Sequence, residues 1–77
     1  MANIIIVTMP EEQEAVLKAL RELDGKVTPV AEIARMAGLG QTRARYVLLD
    51  LQEAGKIERV AHKAFNKHYV RYSYIVK

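Results

Sequence analysis

An α+β fold, in which three helices precede a two-stranded β-hairpin, is predicted by a change of pattern along the sequence. As far as Ala54, apolar residues recur at the i, i+3, i+4 spacing of amphipathic helices. From Ile57 onward they alternate with polar residues, as they do in half-buried strands. The length of 77 residues is enough for one small domain, so we interpret 1–77 as a single unit.

The first helix is predicted to begin near Thr8 and to end at Asp24-Gly25. Thr8 and Glu11 have the spacing of a capping box, in which a hydroxyl and a carboxylate bind free amides at the helix start. The following apolar residues fall on one stripe that would pack into the core. This helix is therefore interpreted as structural. Its stripe consists of Val16, Leu17, Ala19, Leu20 and Leu23.

Two shorter amphipathic helices are predicted between Val30 and Leu51, separated by Gly38-Leu39-Gly40. Thr28 would cap the first of them, with Pro29 at its first position. Two glycines so close together interrupt a helix and permit positive φ. Two helices joined by such a turn form a helix-turn-helix, although an ordinary αα-hairpin is the alternative. The two apolar stripes are Val30, Ile33, Ala34 and Ala37, then Ala44, Val47, Leu48 and Leu51.

The last helix, predicted over Gln41–Ala54, has polar and cationic groups on the N-terminal half of its outer surface. At about 100° per residue, a buried stripe through Val47 leaves Tyr46 outward and places Arg43 and Arg45 on opposite flanks. Recognition helices contact base edges and phosphates with such groups at their N-terminal end. A solvated amphipathic helix is the alternative. The candidate DNA contacts are Gln41, Thr42, Arg43, Arg45 and Tyr46.

Two strands, Ile57–Ala61 and Tyr69–Val76, are predicted to form a hairpin that follows the helix-turn-helix as a wing. The residues 62–77 include four lysines and arginines and no acidic residue. Because surface hairpins usually mix charges of both signs, this composition favours an approach to a polyanion. The candidate contacts in the basic wing, 61–69, are Lys63, Asn66, Lys67 and His68.

The distribution of charge also favours a nucleic-acid partner. Residues 1–40 carry a net charge of −2, whereas residues 41–77 carry +5. The positive half begins with the predicted recognition helix, which places the positive field where a duplex would bind.

Other chemistry finds little support in the sequence. The chain has no cysteine, and His62 and His68 are too few for a metal site, which needs about four ligands. No residue set fits catalysis or cofactor binding, so we expect neither an enzyme nor a cofactor. No apolar run approaches the roughly 20 residues of a membrane span, and the start lacks signal-peptide features. A cytoplasmic protein is therefore expected.

The β-branched run Ile4–Val7 predicts a further strand near the N-terminus. It would either pair with the hairpin strands of its own chain or pair with a second chain and form a homodimer. The sequence leaves both accounts open.

The order of a helix, a helix-turn-helix and a basic hairpin resembles the winged helix-turn-helix superfamily over nearly the whole chain. Within it, the run from Ala44 to Val60 resembles the small fimbrial-operon regulators of the FaeA/PapI type, although Ile4–Val7 departs from that group. This resemblance implies a small bacterial transcriptional regulator that acts with a larger DNA-binding protein. The matching residues are Arg45, Tyr46, Leu48, Leu49, Leu51, Glu53, Gly55 and Ile57.

These patterns predict sequence-specific binding of double-stranded DNA in transcriptional regulation. The helix 41–54 would enter the major groove, and the wing 61–69 would contact the backbone or the minor groove. One alternative is a winged helix that serves as a protein–protein interaction module, which an exposed Leu49 and the run Ile4–Val7 would favour. An RNA-binding module is a second alternative, which the small number of free aromatic residues opposes.

Overall fold

Three helices precede an antiparallel hairpin in the computed structural model, which describes residues 7–63 and 70–77. This confirms the predicted α+β fold with a helix-turn-helix and a C-terminal hairpin. The elements are α1 (Pro10–Leu23), α2 (Val30–Ala37), α3 (Gln41–Glu53), β1 (Ile57–Lys63) and β2 (Val70–Val76).

The core forms where the apolar stripes of the helices meet the inner face of the hairpin. All four stripe residues predicted for α3 are buried, and in α2 the stripe is buried at Ile33 and Ala34. Val30 and Ala37 lie at the margin and are half-buried. Removal of these side chains from water supplies the main driving force for the packing. The central cluster consists of Val16, Leu17, Leu20, Ile33, Val47, Leu48, Leu51, Ile57 and Tyr74.

The turn between α2 and α3 has the predicted geometry. Gly38 ends α2 in the left-handed region with φ 70° and ψ 29°, a conformation that costs glycine less than any other residue. The Leu39 N–H donates to the Ala34 carbonyl at 2.9 Å. Leu39 itself is half-buried against the core. The turn thus closes the corner of a helix-turn-helix and sets the direction in which α3 leaves it.

The start of α1 differs from the predicted capping box. Met9 is the cap residue, and its backbone N–H donates to Glu12 Oε1 at 2.9 Å. The Thr8 hydroxyl instead donates to Asp50 Oδ2 of α3 at 2.6 Å. The prediction of Thr8 and Glu11 as the capping pair is therefore wrong by one residue. The local pattern assigns the Thr8 hydroxyl to the helix start, but this hydroxyl instead binds a charged acceptor on another helix.

The start of α2 is also shifted by one residue. Pro29 is the cap, in extended conformation with ψ 152°, rather than the first helical residue. The Thr28 hydroxyl donates to the Lys26 carbonyl at 3.0 Å, and the Thr28 N–H donates to the Tyr72 carbonyl of β2 at 3.1 Å. The prediction of Thr28 as the cap is wrong, since Pro29 occupies that position and no side chain caps the helix.

The hairpin pairs β1 with β2 in an antiparallel register that runs from Ile57↔Val76 to Lys63↔Val70. The first strand extends beyond the predicted Ala61, and the second begins one residue after Tyr69, which lies outside the described residues. Val70, Tyr72, Tyr74 and Val76 are the residues that the alternation predicts on one face of β2. Of these, Tyr72, Tyr74 and Val76 pack against the core, whereas Val70 is exposed and Ser73, on the other face, is buried. The hairpin thus forms one wall of the core and projects beyond it.

The predicted strand Ile4–Val7 falls largely outside the described residues. Only Val7 is described; it is 67% exposed and has no assigned secondary structure. The described sheet contains β1 and β2 alone. Both accounts of the run therefore stay predictions. Within residues 7–63 and 70–77, no helix is long and apolar enough to span a membrane.

Candidate nucleic-acid interface

The N-terminal half of α3 presents an exposed polar surface. Gln41, Thr42, Arg45 and Tyr46 are all exposed, and no acidic residue occurs in the first turn of the helix. The same helix buries its opposite stripe in the core, which fixes the orientation of the exposed side. These four predicted contacts therefore lie together on the surface of one helix.

Arg43, the fifth predicted contact on α3, faces α1 instead of open solvent. Its Nε donates to Glu12 Oε2 and its Nη2 to Glu12 Oε1, each at 2.7 Å. Nη2 also donates to the Val7 carbonyl at 2.8 Å. This bidentate pairing, together with the Met9 N–H, lowers the pKa of Glu12 from 4.5 to about 2. Arg43 thus joins α3 to the start of α1, and its contact with DNA remains a prediction.

A second polar link lies on the same flank of α3. Gln13 Nε2 donates to the Thr8 hydroxyl at 2.8 Å, and that hydroxyl donates to Asp50 at 2.6 Å. Thr8 is buried and Asp50 is half-buried. Asp50 is thereby held against α1, away from the exposed face of Arg45 and Tyr46.

Arg45 lies on the opposite flank of α3, which faces the hairpin, as the helical angles predict. A cleft of about 320 Å³ separates α3 from the inner face of the hairpin. Arg45, Leu49 and Gln52 line it from α3, and Arg59 and Tyr72 line it from the hairpin. The other lining residues are Val30, Leu48 and Tyr74, so no carboxylate lines the cleft among the described residues.

Arg59 carries no predicted role from the sequence, yet the structure places it in this cleft. Its guanidinium carbon lies 4.4 Å from the centroid of the Tyr72 ring, in a cation–π contact. Burial raises the pKa of Tyr74, while the nearby positive charges of Arg59 and Arg45 act in the opposite direction. Strand alternation from the buried Ile57 could have placed Arg59 on the inner face. The contact of Arg59 with the Tyr72 ring and its position across the cleft from Arg45 could not have been predicted from that pattern.

The predicted wing residues are described only in part. Lys63 ends β1 and is exposed, whereas Asn66, Lys67 and His68 lie outside the described residues. On the outer face of the hairpin, His62 Nε2 lies 2.8 Å from the hydroxyl of the buried Ser73. Across residues 7–63 and 70–77, no group of three or more His, Cys, Asp or Glu side chains could hold a metal ion.

A helix-turn-helix whose second helix packs beside an antiparallel hairpin defines this protein as a winged helix-turn-helix. The family model of FaeA-like proteins matches residues 12–64, and the chain belongs to that family. The match runs from α1 through the helix-turn-helix to the end of β1. No curated protein and no solved structure matches the chain. Membership of this family indicates a regulator-type role.

Proposed function

We propose that this protein is a transcriptional regulator that binds double-stranded DNA in a sequence-specific manner. The observation that carries the proposal is the exposed N-terminal surface of α3, where Gln41, Thr42, Arg45 and Tyr46 lie beside a basic hairpin. These groups are suited to base edges and phosphates, and no acidic side chain interrupts them in the first turn.

The dimensions of α3 suit a major groove. Its 13 residues give a helix of about 20 Å. A helix with its side chains is about 10–12 Å across, close to the roughly 12 Å width of the major groove of B-DNA. Since α1 and α2 cover only the buried side of α3, the exposed side is available to a duplex.

Each side chain of this surface has a role in the proposal. Arg45 reads guanine through O6 and N7, the geometry that a guanidinium fork favours. Gln41 and Thr42 bind base edges or neighbouring phosphates, and Tyr46 packs against the backbone or a thymine methyl. Arg43 holds α3 on α1 through Glu12.

The hairpin extends the proposed contact beyond the major groove. Lys63 binds phosphates or the adjacent minor groove together with Asn66, Lys67 and His68, which lie outside the described residues. The proposed role is regulatory and not catalytic, and the proposed location of the protein is the cytoplasm. A larger DNA-binding regulator is a proposed partner, and a homodimer through Ile4–Val7 is a proposed assembly.

A protein–protein interaction module is the second candidate, and one observation favours it. Leu49 is 50% exposed on α3, one helical turn beyond the 38% exposed Tyr46. An apolar side chain on the exposed surface of a helix is a natural anchor for a partner protein. Arg45 and Arg59 line the same cleft as Leu49, which favours DNA as the first candidate.

Selection of binding sites from random duplexes, with sedimentation of the free protein, tests the proposal. We expect enrichment of a defined sequence and an affinity that falls steeply as salt rises. Failure to enrich any sequence, together with negligible affinity for duplexes at low salt, would contradict DNA binding and favour the interaction module. Sedimentation separates a monomer from a dimer in the same sample.

A further inference from the structure

We propose that Arg59 is a phosphate clamp, which holds the backbone of one DNA strand as it passes between the hairpin and Arg45 of α3. This inference rests on the proposed DNA binding and deepens it. It gives Arg59 a role in binding and gives the cleft a ligand, the sugar–phosphate backbone of a duplex.

The first argument is the placement of the two cations. Arg45 extends from the hairpin flank of α3, and Arg59 lies on the inner face of β1, opposite Tyr74 in the strand register. Both arginines are exposed and both line the cleft of about 320 Å³. Neither forms an ion pair with any described residue, whereas Arg35 and Arg43 are both paired with glutamates. The cleft therefore presents two cations and no described carboxylate.

The second argument is the orientation of Arg59. Its guanidinium carbon lies over the Tyr72 ring, 4.4 Å from the centroid, and this contact favours rotamers that keep the side chain at the cleft. A stacked guanidinium still exposes its N–H edge, which can bind a phosphate through two parallel hydrogen bonds. Because part of the side-chain entropy is already lost in the free protein, less is lost when the phosphate binds.

The third argument is the path of the DNA strand. The major and minor grooves of a duplex are separated by a single sugar–phosphate backbone. If α3 occupies the major groove and the hairpin reaches the adjacent minor groove, that backbone lies over the cleft between them. It carries one phosphate about every 3.4 Å along the helix axis, so the hairpin side of the cleft meets phosphates and not bases. Arg59 therefore contributes to affinity on every sequence and positions α3 along the groove.

The clamp predicts a specific change in salt dependence. Arg59→Ala should lower the slope of log Kobs against log salt by roughly 1, equally on the selected duplex and on a scrambled duplex. Arg59→Lys should keep the slope and bind more weakly than the wild type, because lysine retains the charge and lacks the fork. Fluorescence anisotropy over a salt series measures both quantities.

Arg71→Ala is the matched control, since Arg71 lies on the same hairpin with its side chain on the opposite face, beside His62 in the register. It should leave the slope unchanged. Thermal unfolding of every variant checks that the fold is retained. A slope that is the same for wild type and Arg59→Ala overturns the clamp while leaving DNA binding intact. A wild-type protein without salt-dependent duplex binding overturns the proposed function, and the clamp with it.

A second measurement changes the DNA instead of the protein and locates the contact along the strand. Phosphates of the selected duplex are replaced one at a time by uncharged methylphosphonates. The wild type should lose affinity at one or two adjacent phosphates on the strand between the two grooves. Arg59→Ala should be insensitive at those positions, as expected when two changes remove the same contact. Equal losses for wild type and variant at every position overturn the clamp.

Discussion

The two flanks of α3 carry the same kind of side chain in opposite circumstances. On the flank that faces α1, Arg43 is bound to Glu12 and to the Val7 carbonyl. On the flank that faces the hairpin, Arg45 lies exposed at the edge of a cleft that it shares with Arg59. Two arginines only two residues apart thus differ in whether the fold itself supplies a carboxylate.

This difference separates stability from binding on one short helix. Glu12 at the start of α1 forms an ion pair with Arg43, and the Thr8 hydroxyl donates to Asp50. The charges on the α1 flank therefore have partners within the protein. The charges on the hairpin flank have no described carboxylate to pair with and remain available to a polyanion. Substitutions on the two flanks should therefore have different consequences.

The largest effect is expected on the hairpin flank. Arg45→Ala should weaken binding to the selected duplex by about 1–3 kcal/mol, because a bidentate contact to guanine is lost. Binding to a scrambled duplex should change much less, and the melting temperature should stay close to that of the wild type. Anisotropy titrations on both duplexes measure the difference. Equal losses on both would make Arg45 a phosphate contact only.

The predicted wing contacts Lys63 and Lys67 should contribute affinity without specificity. The double variant Lys63→Ala, Lys67→Ala should bind every duplex more weakly and lower the salt slope by roughly 1 for each lost contact. Lys18→Ala, on the exposed surface of α1, is the control and should leave the slope unchanged. If the double variant retains the wild-type slope, these two lysines do not contact the DNA.

Substitutions on the α1 flank should lower the stability of the fold. Arg43→Ala should lower the melting temperature, because the Glu12 carboxylate and the Val7 carbonyl lose their partner. Glu12→Gln should also destabilise, and the double variant should lose less than the sum of the two single losses. Denaturant unfolding of all four proteins measures this coupling. Additive losses would show that the two side chains act independently.

The smallest effect is a pH dependence of the same pair. The pKa of Glu12 is lowered from 4.5 to about 2 in the folded protein. The unfolded chain therefore binds this proton first, so the pair stabilises the fold above about pH 4.5 and loses that contribution as the pH falls toward 2. The difference in melting temperature between wild type and Glu12→Gln should be constant above that window and shrink within it. A difference that does not vary with pH would contradict the assignment.

The elements that sequence predicted well are those that depend on near neighbours along the chain. The inward residues of α3 follow from helical spacing, and the left-handed turn at Gly38 follows from a glycine between two stripes. The exposed face of α3 could be predicted in the same way, since a helix that buries Val47 and Leu48 must turn Tyr46 outward.

The errors at Thr8 and Thr28 have a common cause. Each residue has the local pattern of a helix cap, and each makes a hydrogen bond to a group that is distant in sequence: the Thr8 hydroxyl to Asp50 and the Thr28 N–H to the Tyr72 carbonyl. The Thr28 hydroxyl itself donates to the Lys26 carbonyl. Helix starts are set by whichever hydrogen bonds satisfy the free groups best. A sequence pattern does not show the hydrogen bonds to groups that are distant along the chain.

The sequence by itself thus determined the α+β class, the helix-turn-helix and the side of α3 that faces outward, because each rests on a period of a few residues. Only the tertiary structure decided which arginine is available. Arg43 meets Glu12 across 31 positions of the chain, and Arg59 approaches the α3 flank through strand pairing. A guanidinium has the same charge in every context, and its role depends on whether the fold places a carboxylate or a cleft beside it.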